Sequence, residues 1–167
     1  MGTCADLTIL ENMALADNKN NRFGLGKCVN KKRIDFYQSL LEQCNMGLEN
    51  RLGVKVGTLS GGQRQALALV IANMTDIELL ILDEHTAALD PKAAENVMQL
   101  TQQLVEKNQI TTLMVTHNLR FAVEYGNRLV MMDEGKVILD LNEKEKAEAK
   151  VEDLTKIFDT ISIEKGN

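Results

Sequence analysis

Long hydrophobic runs are missing from this sequence. No segment approaches the ~18 to 20 consecutive apolar residues of a transmembrane helix, and no signal peptide opens the chain. Basic runs are missing as well, and the net charge of −5 argues against nucleic acid as the main partner. The three cysteines, Cys4, Cys28 and Cys44, are far apart and lack the spacing of metal ligands. These absences predict a reduced, cytosolic protein that reaches a membrane only through a partner.

The composition of the 167 residues is that of a soluble globular domain, with 44% hydrophobic and 26% charged residues, long enough to bury a core. The first third has the pattern of helices. Thr8 and Glu11 form a capping-box pattern, and Asn30 precedes a second periodic segment that we expect to stop at Gly47. A loop rich in Asn and Gly, 17–30, separates the two.

Strand and helix patterns alternate in the rest of the chain. A third helix with an apolar face (Leu67, Val70, Ile71 and Met74) precedes two apolar runs, 79–84 and 110–117, which we expect to be strands buried on both faces. Right-handed crossovers would make these strands parallel. Further signals predict a helix after Asp90, a short helix from Asn118 to Tyr125, a hairpin turning at Asp133 to Gly135, and a last amphipathic helix from Val151. The predicted fold class is α/β with a helical subdomain.

Acidic residues follow the first apolar run. Asp83 and Glu84 would stand at the carboxyl edge of the strand, where α/β sheets bind ligands. One carboxylate there suits Mg²⁺, and the next could deprotonate an attacking water. Acids also end strands simply because the chain emerges into water, so both interpretations stay open. His117 ends the next run, where it could hydrogen-bond a phosphate or the attacking water, or could merely cap a helix or be exposed.

The stretch from Leu59 to Gln63 reads "LSGGQ" and opens the third helix. Gly61 and Gly62 would let a backbone approach a ligand closely, and the helix start would offer free N–H groups to an anion. Ser60 and Gln63 also match a capping box, which would only stabilise the helix. A capping box does not explain two adjacent glycines, each of which costs ~1 kcal/mol in a helix.

"LSGGQ", "LLILDE", "AALD" and "VTH" in this order and spacing resemble the nucleotide-binding domain of ABC-type ATPases, over nearly the whole chain. The segment "LLILDEHTAALDPKAAENVMQLT" resembles the corresponding segment in the ATPase component of a poorly characterised group of bacterial ABC importers. In that group a histidine, here His85, replaces the more usual small residue or proline.

The resemblance implies a role for each matching residue. Asp83 would end the Walker B strand and hold Mg²⁺ through water, Glu84 would be the catalytic base, and His117 the switch histidine. The signature motif, which contacts the γ-phosphate of ATP held by the opposite protomer, would be Leu59, Ser60, Gly61, Gly62 and Gln63. The D-loop, which reaches across the dimer, would be Ala87, Ala88, Leu89 and Asp90.

A phosphate-binding P-loop, G-x-x-x-x-G-K-[ST], is absent from the 167 residues, because neither Gly26-Lys27 nor Gly135-Lys136 is placed in that pattern. We therefore expect the C-terminal part of an ABC ATPase, beginning just past the Q-loop. Its fold would be an incomplete P-loop NTPase (RecA-like) core with a parallel sheet and an ABC-type helical subdomain. The helical subdomain would span 1–76 and the partial core 77–167, and the chain alone would not hydrolyse ATP.

The function that the resemblance implies is the ATP-hydrolysing subunit of an ABC importer. It would use ATP and Mg²⁺, pair with a second ATPase subunit, and attach to integral membrane permease subunits on the cytoplasmic side. A naturally truncated, non-catalytic protein that regulates or binds a full-length ATPase is the alternative. The DNA-repair branch of the family is disfavoured because no coiled-coil insertion is present, and the translation-factor branch because Gln63 ends the signature.

The absent P-loop strand has a consequence for the sheet. In the family it lies between the strand at 111–116 and the strand at 127–132, so the edge of the first would be bare. Either 127–132 pairs with that edge or a second chain does, because an unpaired apolar edge invites another strand. We favour association of chains.

Overall fold

The structure, a computed structural model, describes residues 2–18, 29–75 and 77–164. The helices within these ranges are α1 Ile9–Asp17, α2 Ile34–Glu42, α3 Gly61–Ala72, α4 Pro91–Asn108, α5 Leu119–Glu124, α6 Glu143–Glu148 and α7 Val151–Glu164. The strands are β1 Leu79–Asp83, β2 Thr111–Val115, β3 Leu129–Asp133 and β4 Lys136–Leu141. The chain divides into two compact units between Met114 and Val115.

Local sequence signals set the helix starts of the first unit. Thr8 and Glu11 form the predicted capping box of α1, and the Asp90 side chain accepts from the N–H of Ala93 ahead of Pro91 in α4. Each bond satisfies an N–H group that the helix itself leaves unpaired. The start of α2 differs from the prediction: Asn30 caps a short 3₁₀ turn before it, and α2 ends at Glu42 rather than at Gly47.

A single aliphatic core joins the helices of the first unit. Its fully buried members include Ile9 and Met13 of α1, Leu41 of α2, Leu67 of α3 and Val97 of α4. Aliphatic side chains of this size contribute about 1.5–3 kcal/mol each when they leave water. The core therefore holds α3 and α4, which carry the candidate site residues, in a fixed arrangement.

An ionic cluster links α1 to α2. The Asp17 carboxylate accepts from Arg33 Nε at 2.8 Å, from Arg33 Nη2 at 2.6 Å and from the buried Tyr37 hydroxyl at 2.8 Å. Burial acts to raise the pKa of Asp17, but the hydrogen bonds from Arg33 and Tyr37 outweigh it and lower that pKa. Burial, with Asp17, raises the pKa of Tyr37 to about 12.

Strands β1 and β2 pair in a parallel two-stranded sheet. The prediction that both faces are buried is wrong for both strands. Leu80 and Leu82 of β1 point toward the core, whereas Leu79 and Ile81 are 55% and 61% exposed, and Leu113 of β2 is 56% exposed. Helices of the first unit cover one face of the sheet, and no described element covers the other.

The second unit is built on the hairpin of β3 and β4, whose antiparallel register pairs Leu129 with Leu141 and Met131 with Leu139. Glu134 and Gly135 form the predicted turn with φ of 47° and 76°, the left-handed values that a tight hairpin requires. Leu154 of α7 packs on the inner face of the hairpin.

Three further comparisons with the sequence concern particular segments. Helix α6 was not predicted, although Asn142 and Glu145 form a capping box at its start. Most of the predicted loop at 17–30 falls outside the described residues. Pairing of 127–132 with the edge of β2 does not occur in the described structure, in which β1 and β2 form one two-stranded sheet and β3 and β4 another. Within the described ranges, no helix combines the length and apolar character needed to cross a membrane.

Candidate functional site

The predicted anion-binding residues lie at the start of α3. Ser60 Oγ accepts from the Gln63 N–H at 3.2 Å, and Gln63 Oε1 accepts from the Ser60 N–H at 3.2 Å. The capping box that the sequence left open as an alternative therefore exists. Gln63 also donates through Nε2 to the Met46 carbonyl at 3.3 Å and accepts from Arg51 at 3.4 Å, so its side chain fixes the helix start to the preceding loop.

The tandem glycines have a packing reason that the sequence did not reveal. A Cβ at Gly62 would lie 2.9 Å from the Ala93 Cβ, and a Cβ at Gly61 would lie 3.0 Å from Leu89 Cδ2. The distance at Gly62 is too short for a real side chain, whereas the contact at Gly61 is tight but involves the movable end of the Leu89 side chain. The start of α3 thus packs directly against the Leu89 to Ala93 segment, which gives the glycines a structural reason beside the anion-binding role that the sequence suggests.

The acidic pair lies where β1 ends. Asp83 is the last residue of β1 and is exposed, and Glu84 is half-buried with a positive φ of 46°. A non-glycine residue in this region is uncommon and turns the chain sharply. The Glu84 carbonyl accepts from the Ala87 N–H at 3.0 Å, which starts the tight segment Ala87 to Asp90 that leads into α4.

His85 follows the acidic pair in an unusual environment. Its ring nitrogen Nε2 is buried and has no hydrogen-bond partner among the described residues. Burial lowers the pKa of His85, while the Glu84 carboxylate acts in the opposite direction. The imidazole is thus shifted toward its neutral form, and it brings less positive charge to the neighbourhood of Glu84 than an exposed histidine would.

His117 lies two residues after β2, in the second unit, and its side chain is exposed. The next residue, Asn118, caps α5 by accepting from the Phe121 N–H. Of the two structural alternatives for His117, the helix cap is taken by Asn118, and the exposed position agrees with the other.

The donor set at the end of β1 fits a magnesium ion better than a metal held by protein alone. Among the described residues, no group of three or more His, Cys, Asp or Glu side chains could hold a metal ion. Mg²⁺ needs only one or two carboxylates when water and substrate phosphates supply the other ligands. The exposed Asp83 carboxylate meets this requirement.

A shallow cavity of about 280 Å³ lies beside the start of α3. The helix contributes Ser60, Gly62 and Gln63 to its lining, and the start of α4 contributes Asp90, Lys92, Ala93 and Asn96. The structure therefore brings two predicted groups together, the glycine-rich start of α3 and the segment that ends at Asp90. Sequence reasoning missed Lys92 and Asn96; the available signal was a lysine in the first turn of a helix, where acidic residues are favoured.

A sequence model of the family described as ABC transporter matches residues 3–87. The tyrosine transport ATP-binding protein of Clostridioides difficile is 45% identical over 95% of this chain. The xylose/arabinose import ATP-binding protein of Sulfolobus acidocaldarius is 33% identical over 97% of it. The chain spans 63% and 61% of the lengths of these two relatives.

Solved structures have the same fold. The ADP conformation of an ATP-binding cassette of an ABC transporter superposes with a TM-score of 0.73 at 23% identity, covering 98% of this chain and 64% of that one. A dimeric post-hydrolysis state of another ATP-binding cassette, bound to ADP and Pi, gives a TM-score of 0.67 at 28% identity, covering 84% of this chain and 59% of that one.

Proposed function

Because the chain belongs to the ABC transporter family of ATP-binding proteins, we propose that it forms the C-terminal part of an ATP-hydrolysing subunit of an importer. The observation that carries the proposal is the packing of the glycine-rich start of α3 against the segment that follows the Asp83-Glu84 strand end. If 59–63 is the signature motif and 87–90 is the D-loop, this packing places the two motifs side by side. Under this proposal, "the complete subunit" means this chain together with the part that supplies the P-loop. The division into a helical subdomain at 1–76 and a partial core at 77–167 is part of the same proposal.

Hydrolysis would be performed at the end of β1. The exposed Asp83 carboxylate would hold Mg²⁺ through water, and the ion would neutralise charge that develops on the phosphates. Glu84 would orient the attacking water and accept its proton, a role worth about 10²- to 10⁴-fold in rate. His117 would be the switch histidine that the family resemblance implies.

The start of α3 would serve a nucleotide held by the opposite subunit. Its capping box already satisfies the Gln63 N–H, so the Gly61 and Gly62 N–H groups and the exposed Ser60 side chain are the donors available to a phosphate. Two subunits would thus enclose two ATP molecules, each bound between the Walker B side of one subunit and the signature of the other.

The partners follow from the names of the relatives. A tyrosine transport protein and two further importers, of xylose/arabinose and of methionine, have related ATP-binding subunits. We infer that the complete subunit lies on the cytoplasmic face of the membrane, bound to permease subunits, and that it energises uptake of a small solute such as an amino acid.

The test is replacement of Glu84 by Gln in the complete subunit. We expect Mg-ATP affinity to stay within about twofold and steady-state hydrolysis to fall about 10²-fold or more, since only the base is lost. Phosphate release and equilibrium ATP binding are measured on the same preparations, with the exposed Glu106→Gln in the last turns of α4 as control. Hydrolysis by Glu84→Gln near the parent rate would overturn the proposal, and so would ATP turnover by the 167-residue chain alone.

A further inference from the structure

The cavity beside α3 has a cationic side chain that the proposed roles do not use. Lys92 lines it together with Ser60, Gly62 and Gln63. Its position is fixed by backbone contacts, because Gly62 packs on Ala93, the residue that follows Lys92. The lysine therefore stands beside the motif proposed to meet a phosphate.

Lys92 does not stabilise the helix in which it lies. It occupies the second position of α4, after the Asp90 cap and Pro91, and the first turn contains no acidic residue. A cation at this end of a helix is disfavoured by the helix dipole. The Lys92 side chain is exposed, and it forms no ion pair with any residue that the structure describes.

The other charged side chain that lines the cavity acts as a helix cap. The Asp90 carboxylate accepts from the Ala93 N–H at 3.0 Å as the cap of α4. Lys92 is the one cationic residue among those that line the cavity within the described residues. The cavity thus carries one negative side chain, Asp90, and one positive side chain, Lys92, and its remaining donors are hydroxyl, amide and backbone groups.

We propose that Lys92 is a further nucleotide-contacting residue: its ammonium group binds the polyphosphate of the ATP held by the opposite subunit, beside the signature motif. This inference rests on the proposed function, because it requires ATP to be sandwiched between two subunits. Lysine binds phosphate as a point charge through a flexible stem, so it can reach the nucleotide from the start of α4.

The experiment uses the complete subunit carrying Glu84→Gln, which would hold ATP without hydrolysing it. Lys92→Ala and Lys92→Arg are compared with Lys107→Ala, which removes the same charge about 22 Å further along α4, beyond the ~8 Å screening length of physiological salt. Dimer formation is measured by sedimentation or light scattering as a function of Mg-ATP at several salt concentrations.

We expect Lys92→Ala to raise the ATP concentration needed for half-maximal dimerisation about tenfold, the loss of one charge-assisted contact, and to flatten its dependence on salt. Lys92→Arg should dimerise at nearly the same ATP concentration as the parent, and Lys107→Ala should match the parent. Without nucleotide, Lys92→Ala should melt no lower than the parent, because the helix dipole disfavours Lys92, so a loss of dimerisation would not reflect a loss of stability.

The outcomes separate the two proposals. If the Glu84→Gln subunit with Lys92 intact does not dimerise on ATP, the proposed function fails first. If it dimerises and Lys92→Ala does so at the same ATP concentration and with the same salt dependence, the role of Lys92 is overturned. An equal loss in Lys92→Ala and Lys107→Ala would also overturn it, because the effect would then be one of net charge.

Discussion

Single residues in this chain serve local structure and the candidate chemistry at the same time. Ser60 and Gln63 form a capping box and stand at the proposed phosphate site, and Gly62 belongs to the same motif and packs on Ala93. The sequence predicted both the motif and the capping box. It could not predict the packing role of Gly62, because its contact with Ala93 joins residues that are 31 positions apart and depends on how α3 crosses α4.

The first prediction concerns Gly62. A methyl group there would meet the Ala93 Cβ at 2.9 Å, so Gly62→Ala must push α3 away from α4. Overpacking costs about 1–3 kcal/mol, and the better helix propensity of alanine returns up to ~1 kcal/mol, so we expect a net loss of stability. Urea unfolding of the 167-residue chain measures it. Gly53→Ala, where an added Cβ meets nothing within 4 Å, is the control and should be nearly neutral. Equal stability of the two variants would contradict the packing role.

The second prediction concerns Asp17, whose carboxylate accepts from Arg33 and Tyr37. Asp17→Asn removes a charged acceptor beside a buried hydroxyl and should cost about 1–3 kcal/mol at pH 7. Because folding lowers the pKa of Asp17, its contribution is present above the ordinary pKa of 3.8 and is lost as pH falls below it.

The parent and Asp17→Asn should therefore differ most in melting temperature at pH 7, and the difference should shrink as pH falls below 3.8 toward the lowered pKa of the folded state. The exposed Asp159→Asn of α7 serves as the control and should follow the parent at every pH. A difference that persists unchanged at pH 3 would show that the Asp17 charge is not responsible.

At the scale of elements, capping signals were the best guide. Thr8, Asp90 and Asn118 each cap the helix that the sequence predicted at that place. The strands were predicted in position but not in burial. An apolar run such as "LLIL" predicts which side chains tend to avoid water, whereas the burial of each face depends on which elements pack on it, and Leu79 and Ile81 of β1 are exposed in the described structure.

The third prediction follows from that face. Leu79, Ile81 and Leu113 are each more than half exposed on a two-stranded sheet whose β2 edge has no further strand in the described structure. We expect the 167-residue chain to associate at micromolar concentrations, because apolar faces and open edges attract further chains.

Light scattering as a function of concentration measures this association. Ile81→Lys should shift the chain toward monomer, and Gln99→Lys, which adds the same charge on an exposed position of α4, should not. A parent chain that is a clean monomer with a cooperative melt would contradict the prediction.

At the scale of the whole molecule, the family follows from four short motifs in order, and the chain spans 63% and 61% of the lengths of two relatives that carry the family's name. The sequence predicted the α/β class and the strand, helix and hairpin succession of the C-terminal half. The sequence predicted the hairpin of β3 and β4 but not that the hairpin forms a separate two-stranded sheet covered by α7, because strand pairing depends on which neighbouring strands are available.

The central claim is that this chain serves two nucleotides, one through Glu84 and the other through the signature of the opposite subunit. Two inactive variants of the complete subunit test it, Glu84→Gln and Ser60→Arg, the second blocking the signature. In a mixed dimer, one subunit carries Glu84→Gln and the other carries Ser60→Arg. One nucleotide site then combines both lesions, and the other site combines an intact Glu84 with an intact signature.

The decisive measurement is ATP hydrolysis after the two inactive variants are mixed in equal amounts and allowed to exchange subunits. We expect activity to return to about a quarter of the parent rate, since half of the dimers are mixed and half of their sites are intact in a two-fold symmetric pair. A double variant with both lesions in one subunit, mixed with itself, should stay inactive. Absence of any recovery on mixing, with dimers demonstrated, would contradict the claim that Glu84 and the signature motif act on different nucleotides.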